Sequence, residues 1–480
     1  MSFNFPLGQT IYPVCPILDG ADFISGYAFK SNDFIDSGHP VIKIKNIQSG
    51  KVTIADSQYV STETVRKLDK FKLSDRDVLI AMTGQGSVGR VGRLSCEDGT
   101  TPYLNQRVGK FVADEEKLNI DYLYYVLSTK QYQEILFLAG SGSGQPNLSP
   151  ATIKSVEIPF APYEVQCRIS SILNAIDEKI SLNEKTNQTL EQMAQALFKS
   201  WFVDFEPVKA KVAVMEAGGS QEDATLAAMT AISGKNADAL VAFEREHPEQ
   251  YAELKATAEL FPAAMQDSEL GAIPKGWGVA SISEMGKVTC GKTPSKKEPE
   301  YYGSDVPFIK IPDMHGQLFV LKTNEYLSEA GSKSQLKKLV PANSICVSCI
   351  ATIGVVSITN EPSHTNQQIN SVTPHKSSLL YYLYFCMLGL KDHLHILGSA
   401  GSATLNVNTS TFSGIKIAQP DAKVLELFHA KCTHLFNEIK SLSVQTESLT
   451  QLRDTLLPKL LSGEITLPEA EQAVSEVENV

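Results

Sequence analysis

Gly286-Lys-Val-Thr-Cys-Gly291-Lys292-Thr293 spells G-x-x-x-x-G-K-[ST], the pattern of a loop that holds nucleotide phosphates on backbone N–H groups and a helix N-terminus. That chemistry needs a helix directly after the loop, whereas Pro294 and then Pro299 come next here and oppose one. Gly84-Gln-Gly86-Ser-Val-Gly89 has dinucleotide-loop spacing but leads into Arg90-Val-Gly-Arg-Leu94, a strand-like run, so a glycine-rich turn is the preferred reading. Cys346-Val-Ser-Cys349 is a lone C-x-x-C in an apolar run and reads as structural thiols rather than half of a zinc site. Asp421 with Glu438 and Lys440 fits a loose nuclease pattern, but the last two flank an apolar helix position and read as a solvated face. His393 and His395 lack a carboxylate partner, and no Asn/Asp-Pro-Pro-aromatic loop for methyl transfer to a base amine occurs. Catalytic constellations therefore do not stand out, and binding is the function left to examine.

The elements that could position a binding surface come in duplicate. Val41-Ile-Lys-Ile-Lys-Asn-Ile47 recurs as Phe308-Ile-Lys-Ile-Pro-Asp-Met314, and Val78–Met82 with Ser87-Val-Gly89 recurs as Ile345–Cys349 with Thr352-Ile-Gly354. Asn105-Gln106 recurs as Asn366-Gln367, and Gln145–Ser149 as Thr404–Asn408. From Asn147 and Asn406 onward the two copies run at a constant displacement of 259 residues. A period this long is a duplicated module, not a solenoid.

Each copy opens with short β-branched runs separated by turn residues, which predict strands, and continues with a Tyr/Leu-rich stretch, Tyr122–Leu127 or Leu379–Leu388, which predicts a helix on the sheet. A long helix with a 3.5-residue apolar repeat closes each copy. The first seam runs Ile169, Leu173, Ile176, Ile180, Asn183, Asn187, Leu190, Ala194, Leu197, Trp201; the second Phe428, Cys432, Leu435, Ile439, Leu442, Thr446, Leu449, Arg453, Leu456, Leu460. Two such helices in one chain are expected to pair with each other, the alternative being that each packs on its own domain. Polar Asn183, Asn187 and Thr446 in the seam weaken packing but fix register.

The fold class expected is α+β: two β-rich domains, each followed by a long helix, the helices pairing as an antiparallel coiled coil with an internal pseudo-two-fold repeat. The divisions read from the chain are residues 1–160, a first β-rich domain; 161–204, its helix; 205–269, an acidic, partly helical connector; 270–419, the second β-rich domain; 420–462, its helix; and 463–480, an acidic tail expected to fray beyond Thr466.

Length and charge set the frame. The 480 residues carry a net charge of −11, but residues 211–272 hold four basic against eleven acidic side chains and the tail adds five glutamates. The rest is close to neutral, with local basic excess at 30–110 and 287–338, so overall acidity does not exclude nucleic acid. With no apolar run long enough to span a bilayer, no N-terminal leader pattern and eight scattered cysteines that read as reduced thiols, the expectation is a cytoplasmic protein with no membrane partner.

At this point the residues resemble the specificity (S) subunit of type I restriction–modification systems. The marks are Gly26–Lys30, Val41–Ile47, Asn105-Gln106, Gln145–Ser149 with Ile158-Pro159, Trp201-Phe-Val-Asp-Phe-Glu-Pro207, Leu270–Trp277 and Leu456-Leu-Pro-Lys-Leu-Leu-Ser-Gly463. One departure is that the first copy lacks the Ile-Pro-Lys-Gly-Trp lead of the second and begins with Met1–Asp19. The resemblance implies two target recognition domains on an antiparallel helix pair, reading a bipartite, asymmetric double-stranded DNA target with one half-site per domain. It implies a non-catalytic chain joined by two modification subunits, which bind S-adenosylmethionine and methylate adenine, and by two restriction subunits that can add ATP- and Mg2+-dependent translocation and cleavage.

Because Arg, Lys, Asn and Gln are the side chains that meet phosphates and base edges, the DNA-contact candidates are Lys43, Lys45, Arg90, Arg93 and Arg107 in the first domain and Lys292, Lys296, Lys297 and Lys310 in the second. Asn105, Gln106, Asn366 and Gln367 are secondary, since a feature shared by domains reading different words fits a framework turn. The spacer residues are Ile176, Ile180, Asn183, Asn187 and Leu190 with Leu435, Ile439, Leu442, Thr446 and Leu449. Two competing readings remain: a phosphate-loop nucleotide hydrolase using Lys292 and Thr293, and a coiled-coil adaptor that binds no DNA.

Overall fold

The computed structural model describes residues 10–96, 99–141, 146–399 and 405–478. The repeat motif's Gln145 and Thr404 lie outside the described residues. The chain packs into two units, one taking the described residues up to Asn183 and those from Gln445 onward, the other Glu184–Val444.

Each unit is built around a β-rich domain with the same sheet plan. In the first, a five-stranded sheet has the order Ala21–Ser25, Val108–Ala113, Val78–Ala81, Val91–Ser95, Gly50–Thr53; in the second it is Gly286–Cys290, Ile369–Pro374, Ile345–Ser348, Val356–Thr359, Phe319–Val320. Both sheets are antiparallel except for the last pair, which is parallel in both. A four-stranded sheet repeats likewise: Phe34–Ile35, Gln58–Val60, His39–Ile42, Tyr103–Leu104 against Tyr302–Gly303, Tyr326–Leu327, Val306–Ile309, His364–Thr365. A two-stranded ribbon closes each domain, Val14–Pro16 with Glu157–Pro159 and Gly278–Ser281 with Lys416–Gln419, so each domain's end sits beside its start.

The Tyr/Leu-rich stretches form the helices Ile120–Ser128 and Leu380–Gly389. They are buried nearly throughout because each packs on its sheet, and Tyr122 and Tyr382 each turn a polar tip to a carbonyl. The Tyr122 hydroxyl donates to Pro159 O at 3.0 Å and the Tyr382 hydroxyl to Ala418 O at 2.6 Å.

The central helix covers Tyr163–Phe198 and widens into a π-helical turn at Lys199–Val203; the distal helix covers Ala422–Ser462. They pair antiparallel within each unit. In the first, Arg453 bonds Asp177 at 2.9 Å and Gln445 bonds Asn183 at 2.9 Å; in the second, Asn187 donates to Ser443 at 3.0 Å and Phe198 lies against Phe428. Ile176, Asn183, Ile439 and Leu449 are buried; Ile180, Asn187, Leu190, Leu435, Leu442 and Thr446 are half-buried. The 3.5-residue repeat thus marks the face that meets the partner helix.

Two regions differ from expectation in detail. The connector folds into four helices, Glu206–Glu216, Gln221–Ser233, Ala237–Glu246 and Pro248–Glu259, around a small core of Ala228, Met229, Leu240 and Ala258. A hairpin, Met265–Ser268 with Gly271–Pro274, then leads into the second domain. The tail does not fray: Leu467–Glu478 is a helix with Ala470 buried in the first unit's core, and Arg168 pairs with Glu471 at 2.8 Å. The apolar spacing Leu467, Ala470, Val474 carries this docking, which its five glutamates obscured. Among the described residues no helix is long and apolar enough to cross a membrane.

Candidate nucleic-acid interface

The short parallel strand pairs set out the candidate residues. Val41 and Ile42 lie beside Tyr103 and Leu104, so Lys43 and Asn105 leave the pair at the same end; Phe308 and Ile309 beside His364 and Thr365 do the same for Lys310 and Asn366. Lys43 then begins a helical turn whose Asn46 side chain accepts the Lys43 N–H at 2.9 Å, and Lys310 begins one whose Asp313 carboxylate accepts its N–H at 2.8 Å. The glycine-rich turn joins this end in the first domain, since Arg90 donates to Ile47 O at 3.4 Å and Gly86 O at 2.6 Å. Lys45, Arg90, Gln106 and Arg107 thereby gather at one end of the first domain, with Lys45, Gln106 and Arg107 exposed. In the second domain the Lys292 N–H donates to Thr365 O at 2.9 Å, which brings Lys292 to the end that carries Asn366, Gln367 and Lys310. Lys296 and Lys297 are exposed on the adjoining segment.

Several cations are already engaged. The Lys43 ammonium donates to Gln58, stands 3.8 Å from the centre of the Phe34 ring, and is pushed to a lower pKa by burial and the nearby Lys45 charge. Lys310 is ion-paired with Glu325. Arg93 is the clearest correction: its side chain is only 13% exposed, donates to Asp121 at 2.9 Å and Asn174 at 2.7 Å, and lies over the Tyr124 ring at 4.5 Å. It belongs to the inside of the first unit and is withdrawn as a DNA contact. Asn105 and Asn366 are also inward: Asn105 takes the Arg107 N–H at 3.4 Å, and Asn366 takes the Gln368 N–H at 3.1 Å.

The phosphate-loop reading fails on geometry. Gly286–Cys290 is a strand, and residues 291–295 after it form no helix. The Thr293 hydroxyl donates to Gln367 at 2.6 Å. Gly291 has another reason to be glycine: a Cβ there would stand 2.2 Å from Asn366 O and 2.3 Å from Thr365 O. Gly26 repeats this, with its Cβ 2.2 Å from Asn105 O. Gly291→Ala is therefore expected to destabilise the second unit by about 1–3 kcal/mol, while Lys292→Ala, on an exposed side chain, leaves stability unchanged. Denaturant melts of both variants check this; equal midpoints would remove the close approach as the reason for the glycine.

Cys346 and Cys349 are buried, and burial pushes both thiols up to about 11, so they stay protonated. The described residues hold no group of three His, Cys, Asp or Glu side chains that could hold a metal ion.

Sequence reasoning missed one constellation. Asp177 accepts from Tyr125 at 2.8 Å and from Arg453 at 2.9 Å, with Arg93 at 3.7 Å; Asp121 binds Arg93, Arg76 at 2.8 Å and Asn174 at 3.0 Å. The network locks the first domain to both long helices within its unit. The available signal was Arg453 at an apolar seam position, where a cation requires a buried acid.

Two copies of one β-rich domain, each ending in a long helix that pairs antiparallel with the other, define a duplicated recognition scaffold. The chain matches the family described as "Type I restriction modification DNA specificity domain" over residues 14–192 and 274–441, and it belongs to that family. The "Type I restriction enzyme HindI specificity subunit" of Haemophilus influenzae is 46% identical over 368 residues, covering 74% of this chain and 80% of that one. The "Type I restriction enzyme MjaIX specificity subunit" of Methanocaldococcus jannaschii is 26% identical over 352 residues, 73% of this chain and 70% of that one. The crystal structure of a type I restriction-modification S subunit from M. genitalium aligns with a TM-score of 0.55 at 16% identity, covering 94% of this chain and 96% of that one; at this identity the likeness is one of fold.

Proposed function

We propose that this chain is the DNA-sequence reader and assembly scaffold of a type I restriction–modification complex. DNA sequence recognition in such a system follows from its family and its specificity-subunit relatives. The finer reading is ours: each β-rich domain reads one half-site of an asymmetric, split duplex target, the helix pair sets the separation, and the chain itself performs no catalysis. Two modification subunits supply S-adenosylmethionine chemistry, and two restriction subunits can supply ATP- and Mg2+-dependent cleavage, all in the cytoplasm. The observation that supports this reading most is the repetition of one sheet-end arrangement in which the shared Gln106 and Gln367 stand beside different exposed cations: Lys45 and Arg107 in one domain, Lys292 in the other.

The test is a mobility assay of the chain with its co-purified modification partner. Exchanging residues 20–150 or 275–405 for those of a relative, with the helices untouched, should change one half-site and leave the other; an unchanged preferred sequence would place recognition elsewhere. Arg107→Ala and Lys292→Ala should each weaken DNA binding and, where the cation meets phosphate, reduce the slope of log K against log salt by about 1. Titration over a salt series checks this, and unchanged slopes in both variants would leave these cations out of the interface.

A further inference from the structure

The two units use one frame but two incompatible docking faces between domain and helices. Positions correspond because the frame repeats closely. Arg93 and Ile358 sit at the same place in their sheets, each opposite the first residue of the neighbouring strand, Val78 or Ile345. The Tyr122 and Tyr382 hydroxyls bond equivalent carbonyls, which makes Tyr381 the counterpart of Asp121 and Phe385 that of Tyr125. The long helices begin at Tyr163 and Ala422, so Phe436 stands where the other helix has Asp177, and Ala194 stands for Arg453.

All four ionised members of the first set thus have uncharged counterparts. In the first unit Asp177 gathers Tyr125, Arg93 and Arg453. In the second, Phe436 gathers aromatic rings instead: Tyr381 at 4.2 Å, Tyr384 at 5.7 Å and Phe385 at 6.0 Å between centroids. Seating the first domain on the second set of helix residues would press the Arg93–Asp121 ion pair against Phe436 and take the Asp177 carboxylate away from Arg93 and from the Tyr125 hydroxyl. Seating the second domain on the first set would cover Asp177 and Arg453 with Ile358 and Phe385. Each mismatch buries an ion pair against apolar side chains and strips it of its remaining partners, so that its desolvation is no longer offset by the full set of hydrogen bonds, and specificity of this kind works by penalising the wrong partner.

We propose that these two faces form a pairing code, so that a recognition domain seats only on helix ends carrying its own set and each half-site is confined to one position in the chain. A domain could then be exchanged at its own position, but could move to the other position only together with its docking residues. The consequence for DNA rests on the function proposed above; the pairing itself does not.

The experiment is a cycle in the full chain. Helix-side changes (Asp177→Phe with Arg453→Ala), domain-side changes (Arg93→Ile, Asp121→Tyr, Tyr125→Phe) and all five together are compared by thermal melting, and by binding of their complexes with modification partner to the split target. Each partial set should lower the first unit's melting temperature by roughly 10 °C and weaken binding at least tenfold, and the five-fold variant should recover most of both. Should a partial set fail to fold, recovery of a folded, melting-competent chain in the five-fold variant is the readout. A five-fold variant no better than the partial sets, or partial sets that melt like the parent, would overturn the code. Melting that tracks the cycle while no variant, nor the parent, prefers any DNA sequence would support the code and overturn the DNA reading.

Discussion

Replacing Asp177 with alanine is expected to cost the first unit about 3 kcal/mol, the lower end of what breaking a buried ion pair costs. The carboxylate is 17% exposed and is held by the Tyr125 hydroxyl and the Arg453 guanidinium, with Arg93 beyond at 3.7 Å. Removing it leaves two guanidinium groups, 13% and 28% exposed, short of counter-charge: Arg93 retains Asp121, and Arg453 retains only the exposed Asp454. The desolvation of Arg453 then goes largely uncompensated, and that of Arg93 is offset by Asp121 alone. Asp177→Asn should cost less, since the amide oxygen can still accept from Tyr125, and the difference between the two variants isolates the charge. Denaturant unfolding measures both; a loss below 1 kcal/mol for alanine would mean that water satisfies the arginines. Acid acts in the same direction on the neighbouring carboxylate. Burial raises the Asp121 pKa, but hydrogen bonds from Arg76 and Asn174 and the Arg93 charge lower it further, to a net value below the ordinary one. Its stabilising effect is therefore complete above about pH 4 and is lost as the pH falls through the folded-state pKa.

Trp201→Ala should be at least as severe, and in the other unit. The indole is fully buried in the π-helical turn that ends the central helix, 5.1 Å edge-on to Phe261 and 6.2 Å from both Phe202 and Phe428. It therefore joins the central helix, the distal helix and the end of the connector in one cluster. Truncation to alanine removes one of the two tryptophans of that core and leaves a cavity, a change that costs about 3–5 kcal/mol. Its Nε1 donates to no group among the described residues, so Trp201→Phe gives up little hydrogen bonding and should retain most of the stability. Calorimetry of the two variants checks the contrast. Equal losses would assign the indole nitrogen a role that the packing does not.

Much of this architecture was legible in the sequence because it is written in short-range periodicity. The 3.5-residue seam places Ile176, Ile439 and Leu449 in the helix interface using only neighbours a few residues away, and all three are buried. Duplication added a second reading of every element, so that Gly26 and Gly291, each ambiguous alone, fall at matching close approaches to Asn105 and Asn366. The glycine pattern around Lys292 matches a phosphate loop only as a string, since in the folded chain it runs on against Thr365 without forming a helix, as Pro294 and Pro299 led one to expect.

The candidate site was less legible, for a reason visible in Arg93. Its sequence neighbours are those of an exposed strand cation, but its fate depends on Asp121 and Asn174, which are distant in the chain and arrive only through folding. Lys310 is in the same position with respect to Glu325, and Arg453 with respect to Asp177, 276 residues away. The sequence by itself determined that the chain is a duplicated pair of β-rich domains on paired helices, and which family it belongs to, because strand alternation, heptads and repeats are local or self-referential. Only the tertiary structure decided which candidate cations are exposed, that the acidic tail docks as a helix, and that one domain meets the helices through an ion-pair network and the other largely through aromatic rings. Those outcomes depend on desolvation and on partners far apart in the chain, and neither quantity exists until the surfaces have met.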